Sequence, residues 1–172
     1  MNKKGFTLVE MLAVMIVVSL LMVLVVPAIV NVYTSVRRNS FTTKVNYIET
    51  NTLKYVNSFK DDIKNQSCVD YTIDQLISVG AIISDNKGVN QIENPYTGGT
   101  FDGKVRVCYC KSKLDVVANY VEEYNASTYY HKGDKIIYND ILYTCINDVE
   151  PNKLFDSNSG NVNTNYFQVI EC

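Results

Sequence analysis

Lys3-Lys4-Gly5-Phe6-Thr7-Leu8-Val9-Glu10 and the apolar run behind it decide how the rest of the chain is read. From Phe6 to Val36 the sole charge is Glu10, and between Met11 and Val30 the one polar side chain is Ser19. A membrane-spanning helix needs about 20 predominantly apolar residues, and this run supplies them. It is too long and too apolar for the core of a small domain. A carboxylate inside such a segment costs a few kcal/mol or more on insertion scales (order of magnitude), so it marks a function and has a partner. A secretory signal peptide has a shorter apolar region, about 7–15 residues, followed by a small-residue cleavage site. Here the run is longer, an acid stands at its start, and no Ala-x-Ala site follows. A plain N-terminal anchor fits the hydropathy better.

The residues carry more than an anchor. Gly5-Phe6-Thr7-Leu8-Val9-Glu10 resembles the leader-peptidase site of type IV pilins and type II secretion pseudopilins. The resemblance implies cleavage between Gly5 and Phe6 by a prepilin peptidase, N-methylation of Phe6, and a cytoplasmic position for Lys3 and Lys4. Glu10 stands where that family keeps a glutamate, and Pro27 where many members carry a helix-kinking proline. The implied partners are other pilin subunits in a helical polymer and an inner assembly platform with its ATPase. In the family's mode of assembly, Glu10 of an entering subunit pairs with the Phe6 amine of a neighbour. The implied location is a single-pass membrane protein with a cytoplasmic N-terminus, then an extracellular filament. The flanking charges do not fix this orientation, because Lys3 and Lys4 flank one end of the run and Arg37 and Arg38 the other.

The 172 residues allow one or two small domains beside the membrane segment. Residues 39–117 balance at nine basic and nine acidic side chains, whereas residues 118–172 hold three basic and eight acidic. That step suggests a domain boundary at 117/118. It also argues against a nucleic-acid receptor, which needs clustered Lys and Arg to neutralise phosphates. No enzyme is expected: there is one histidine, no Gly-x-Ser-x-Gly and no phosphate-binding glycine loop. No metal or cofactor is expected either. Cys108-x-Cys110 is not a Cys-x-x-Cys knuckle, and His131 lacks a second histidine at zinc-site spacing. His131 reads as an exposed loop or strand-end residue.

Along the chain, Val45, Ile48, Thr52, Val56, Phe59 and Ile63 recur at spacings of three and four, an amphipathic helical face. With no Pro or Gly between Ala28 and Lys64, one helix is predicted from Thr7 to Lys64, roughly 85 Å long, with a bend at Pro27. Thr72-Ile73-Asp74-Gln75 is a capping-box pattern that starts a short helix ending at Gly80. Asn94-Pro95-Tyr96-Thr97-Gly98-Gly99 is a turn-rich loop. Lys104 to Cys110 alternates, with Val105, Val107 and Tyr109 on one face and Arg106, Cys108 and Cys110 on the other. Leu114 to Val121 reads as its partner strand across a Ser112-Lys113 turn. This order resembles the globular head of Gram-positive type IV pilins.

The C-terminal block contains Tyr130-x-x-Gly133-Asp134-x-Ile136-x-Tyr138, an Asn139-Asp140 hairpin turn and a return strand Ile141–Cys145. A Glu150-Pro151 loop and an apolar ending, Tyr166 to Ile170, follow. Residues 119–172 resemble the small all-β carbohydrate-binding module of bacterial chitinases. They depart from it in having no Trp, with Ile146-Asn147-Asp148-Val149 in place of a Trp-bearing segment. Sugar binding would then fall to smaller rings, with Tyr124, Tyr129, Tyr138 and Phe167 as candidate platforms. The competing reading of these aromatics is core packing. Five cysteines, Cys68, Cys108, Cys110, Cys145 and Cys172, leave an odd thiol over. Outside the cytoplasm the division of the chain suggests a Cys145–Cys172 staple, with Cys68 bonded to Cys108 or Cys110.

The expected fold class is therefore α+β. A leader peptide (1–5) precedes a transmembrane and filament-core helix (6–36). A pilin head (37–117) with a small antiparallel sheet follows, then a small all-β module (118–172). The expected function is a structural subunit of a type IV pilus or related filament, minor or specialised because the appended block must fit on the filament surface. Its C-terminal module would bind surface polysaccharide. The alternative is a pseudopilin of a competence or type II secretion-like system with no glycan binding.

Overall fold

The structure is a computed structural model that describes residues 7–66, 68–86, 88–110, 115–154 and 161–171. Gly5, Phe6, Cys172 and the expected Ser112-Lys113 turn lie outside the described residues.

Helix α1 runs from Leu8 to Val56, 49 residues or roughly 74 Å. Thr7 starts it in an extended conformation (ψ 154°), with its hydroxyl accepting the Glu10 N–H. The helix continues through Pro27. It is not the single α-helix to Lys64 that periodicity suggests. At Asn57–Phe59 it tightens to a 3-10 turn before α2, Lys60–Gln66, resumes. The Ser58 hydroxyl donates to the Tyr55 carbonyl at 2.8 Å, local competition of the kind that weakens a helical ladder.

The two ends of this rod differ. Leu8 to Val36 holds no buried residue, whereas Ile48, Thr52 and Val56, one per turn, are fully buried. Buried Thr52 satisfies its hydroxyl on the Ile48 carbonyl at 2.8 Å. Ile63 of α2 extends the same face. Against it pack Leu76, Ile82, Ile92, Phe101, Val105 and Val107, and Phe41 stacks on Phe101.

Strand β1 (Cys68–Thr72) leads into the short helix α3 (Ile73–Ser78), and Thr72 and Gln75 form the expected capping box. Gly80, at φ +75°, supplies the left-handed residue that turns the chain out of α3. Strands β2 (Lys104–Cys110) and β3 (Asp115–Glu123) pair antiparallel along their length, with Val105 and Val107 turned to the helix as expected. β1 pairs with the other side of β2 and places Cys68 opposite Cys108.

The sheet does not stop there. β3 extends two residues past Val121, and Glu122 and Glu123 pair parallel with Ile136 and Ile137 of β4 (Lys135–Tyr138). β4 turns through Asn139 and Asp140, at φ 49° and 64°, into β5 (Ile141–Cys145). These are the left-handed residues that a tight hairpin demands, and the sequence supplies the two types that tolerate them. β6 (Phe167–Val169) closes the order β1 to β6, with every pairing antiparallel except β3–β4. The 117/118 division thus falls inside β3. The charge step reports surface composition, whereas strand pairing follows the apolar alternation that runs through it. A second core, built on Tyr130, Ile136, Tyr143, Val149, Leu154 and Phe167, fills the C-terminal block. Val121 of β3 joins Ile137 and Leu142 in a small third one, so the two parts share apolar contact.

Candidate functional site

The first candidate site is the N-terminal end of α1. Glu10 is the third residue of the helix, and its carboxylate Oε2 accepts from the Thr7 N–H at 2.9 Å and from the Thr7 hydroxyl at 3.0 Å. The Thr7 oxygen in turn accepts from the Glu10 N–H at 3.3 Å. This reciprocal capping box satisfies two donors that a helix start leaves orphaned. It also gives the one acid of the apolar segment local partners. From here to Val36 the apolar side chains stand outward, and the helix is long and apolar enough to cross a membrane. Pro27 lies inside it.

The second is the seam between the helix-packed sheet and the C-terminal block. Arg38 of α1 meets Asp134 at 2.5 Å, and Lys135 of β4 meets Glu49 of α1 at 2.8 Å. Glu49 also accepts the Tyr120 N–H at 2.7 Å. On the other side of the sheet, Arg106 holds Asp70 through two nitrogens at 2.7 and 2.9 Å and reaches the carboxylate of Asp140 in the β4–β5 turn at 2.6 Å. The Arg106 side chain is 11% exposed, whereas its Asp140 partner is 86% exposed, so shelter is confined to the arginine end of the clamp. The hydrogen bonds from Arg106 hold the Asp70 carboxyl below its ordinary range. A cavity of about 150 Å³ lies at the seam, bordered by Phe41, Val45, Glu49, Tyr120, Glu122 and Tyr130. Burial pushes the Glu122 carboxyl up, partly offset by a hydrogen bond from the Tyr120 hydroxyl at 2.9 Å. His131 follows the Tyr130–Val149 bridge, a strand-end position, and is partly buried rather than exposed. It is wedged between the Tyr96 and Tyr129 rings, with its Nε2 2.5 Å from the Tyr96 hydroxyl.

The aromatics proposed as sugar platforms do not form one surface. Phe167 is 2% exposed and belongs to the core of the C-terminal block. Tyr124 is half-buried, stacked on buried Tyr130, and Tyr138 sets its edge against Tyr124. Tyr129 alone of the four is exposed, at 45%. The reason is strand parity and packing: without Trp, the block uses its Tyr and Phe rings to fill a small core.

The cysteines divide differently from the expected scheme. Cys68 and Cys108 form a disulfide, which resolves the open choice at Cys68. Cys110 is also disulfide-bonded. Cys145 is a buried free thiol, so the Cys145–Cys172 staple is not formed. The β5–β6 register gives the reason. Cys145 pairs with Phe167 and Tyr143 with Val169, so the chain runs away from Cys145 as it approaches its end.

Three contributors were not singled out from the sequence. Thr7 was legible, because Thr7-x-x-Glu10 repeats the capping-box spacing recognised at Thr72-x-x-Gln75. Strand β1 was nearly so, since Val69 and Tyr71 alternate, but five residues are a weak signal. The Arg106–Asp140 contact joins residues 34 apart and carries no local signature.

Residues 1–26 match the family model of the prokaryotic N-terminal methylation motif. That match to an N-terminal motif and the exposed apolar helix suggest a type IV pilin-like or pseudopilin subunit, and fit a membrane-anchored precursor. The same motif implies processing by a prepilin peptidase and assembly with other pilins. No curated protein and no solved structure matches the chain. The likeness of residues 119–172 to a carbohydrate-binding module therefore rests on its letters alone.

Proposed function

We propose that this chain is a structural subunit of a type IV pilus or a related filament, cut between Gly5 and Phe6 and assembled through α1. The observation that carries the reading is the asymmetry of one helix. Its C-terminal part is the core of the folded head, while residues 8–36 bury nothing within the chain. A soluble protein cannot leave such a run in water, at about 25 cal/mol for each Å² of apolar surface exposed. Lipid covers it before assembly, and the same segments of neighbouring subunits cover it afterwards. The pairing of Glu10 with the amine of a processed neighbour would neutralise two charges that are each costly in hydrocarbon. The bulk of the C-terminal block favours a minor or specialised subunit over the main shaft component.

The test is Glu10→Ala in the full chain. The variant is expected to accumulate in the membrane, to lose its leader, and to enter filaments poorly. Normal incorporation, with no helper subunit supplying the pairing, overturns the charge-matching role. Immunogold labelling places the subunit: label along the whole shaft contradicts the minor role, and sparse or terminal label supports it.

A second reading, a pseudopilin of a competence or secretion system with no glycan binding, is favoured by the burial of Phe167 and the half-burial of Tyr124 and Tyr138. Glycan contact would then rest on Tyr129 alone. Retention of the full chain on chitin or peptidoglycan that is abolished by Tyr129→Ala would restore the adhesive reading.

A further inference from the structure

We propose that the cavity at the seam between α1 and the C-terminal block binds a small primary amine, with Glu122 as the counter-ion of its ammonium group. The site is independent of the filament reading above. The cavity measures about 150 Å³. An apolar cavity of about that size accepts a benzene ring. Phe41, Val45 and Tyr130 supply apolar wall, and Thr42 and Asn46, both exposed on α1, form the mouth. Apolar walls with a few convergent polar groups are the usual make-up of a small-molecule site.

The charges around the cavity select the ligand. Arg38 is neutralised by Asp134 at 2.5 Å, and Lys135 by Glu49 at 2.8 Å. Glu122 lines the same space, and among the described residues it takes part in no ion pair. Its Oε1 accepts from the Tyr120 hydroxyl at 2.9 Å, a neutral donor. Burial pushes the Glu122 carboxyl up, and the Asp134 and Asp102 carboxylates add to the rise. The cavity therefore holds one negative charge without a positive counterpart. An anion would be repelled by it and a neutral ligand would leave it uncompensated, whereas an ammonium cancels it. The ring walls favour the same species, because the face of an aromatic ring attracts a cation. Phe41 already carries the Arg38 guanidinium at 5.1 Å from its centroid. An ammonium on a single ring or a short aliphatic stem suits the volume. Such a group is offered by a free amine or by a lysine side chain of a second copy of this chain.

The probe is para-fluorobenzylamine, followed by fluorine NMR relaxation against the full chain in detergent, with protein-free micelles as the blank. A Kd of about 1 mM is expected, ordinary for a ligand of this size. The neutral and anionic analogues, para-fluorobenzyl alcohol and para-fluorobenzoate, are expected to bind roughly tenfold or more weakly, and so is the amine to Glu122→Gln. Val45→Phe, which fills the cavity from α1, is expected to abolish binding. Asn46→Phe, at the exposed mouth, gives the same test should Val45→Phe fail to fold, and urea midpoints establish that each variant is folded. These filling variants also separate the cavity from the neighbouring cleft along Phe101, Gly103 and Thr128, which Glu122 borders as well. Relaxation of the amine that is no faster with protein than in the blank overturns the proposal. So does alcohol binding as tight as amine binding, or undiminished amine binding by Glu122→Gln or by the folded filling variants. Titrations at low and high protein concentration distinguish the source. An unchanged Kd supports a site for free amines, and a Kd that rises with protein concentration supports a competing lysine of a second copy.

Discussion

Phe167→Ala separates the two roles that a C-terminal aromatic could have. In the structure the ring is 2% exposed and packed with Tyr130, Ile136, Tyr143, Cys145, Val149 and Leu154. It also anchors β6, a strand of three residues whose pairing partner for Phe167 is Cys145. Removing a buried phenyl ring from such a site costs about 3–5 kcal/mol, the transfer term plus the cavity left behind. Because β6 is short and at the sheet edge, much of that loss falls on its local docking. A loss of about 3 kcal/mol raises the opened population roughly a hundredfold.

Cys145 reports the opening. Burial pushes its thiol up to about 12 from an ordinary 9.0, with the nearby Asp134 carboxylate adding to the rise. The closed form therefore holds far less thiolate than an exposed cysteine at neutral pH. Cys68, Cys108 and Cys110 are disulfide-bonded, so among the described residues Cys145 is the thiol that can react. The assay is alkylation of the full chain in detergent by a water-soluble maleimide, followed by mass spectrometry. Phe167→Ala is expected to react about a hundredfold faster than wild type, while Tyr129→Ala, altered at the surface, keeps the wild-type rate. An alkylation rate for Phe167→Ala within about threefold of wild type would refute the reasoning, since the ring would then hold nothing closed. If the variant instead lost polysaccharide retention at an unchanged alkylation rate, Phe167 would be a contact residue after all.

Gly103→Ala is expected to lower the urea midpoint, because a Cβ there would lie 2.4 Å from the Val121 carbonyl and 2.6 Å from the Tyr120 hydroxyl. Overpacking of this kind costs about 1–3 kcal/mol, and an unchanged midpoint would contradict the packing of the Gly103–Tyr120 contact. Peptide mapping without reduction should link Cys68 to Cys108 and leave Cys145 free. By elimination among five cysteines, the Cys110 peptide is expected with the C-terminal one, and a Cys145–Cys172 link would refute the scheme. The depressed Asp70 carboxyl stabilises the fold above its ordinary value of 3.8, and that contribution disappears as pH falls through the lower folded value. Asp70→Asn should therefore be less stable than wild type at neutral pH and converge with it under strong acid. A gap that stays constant with pH would show that the Arg106 clamp does not depend on the charge of Asp70.

What the sequence made legible follows the range of the interactions involved. Helix α1 is written in a run of apolar residues and one face of period 3.6, which marks Ile48, Thr52 and Val56 as core. The α3 cap, the Asn94 loop and the Asn139-Asp140 turn are equally local, each set by side chains within four residues of one another. The parallel junction of β3 and β4 was not legible. It joins Glu122 to Ile136 through only two residue pairs, and no composition step marks it. The platform residues failed for a related reason. Alternation tells which residues share a face, but it does not tell which face of an added block will be covered. Phe167 and Tyr129 look alike in sequence and end at 2% and 45% exposure.

That junction changes what the C-terminal block can do. A module on a flexible linker would let any surface it contacts move freely relative to the filament axis. Here the block continues the head's own sheet through β3 and β4, and it meets α1 directly at Arg38–Asp134 and Glu49–Lys135. These ion pairs are worth little each where water reaches them. Yet their side chains are only 15–25% exposed, and tilting the block would strip both at once together with the apolar contact of Val121, Ile137 and Leu142. Arg106 adds a tie to the β4–β5 turn from the opposite face of the sheet. Load applied to the block would thus pass into β3 and α1 through paired strands and clamps rather than through slack chain. The same helix that buries nothing at residues 8–36 bears the block at residues 38–49, so on the filament reading proposed above the segment for polymer contact and the C-terminal block share one continuous helix.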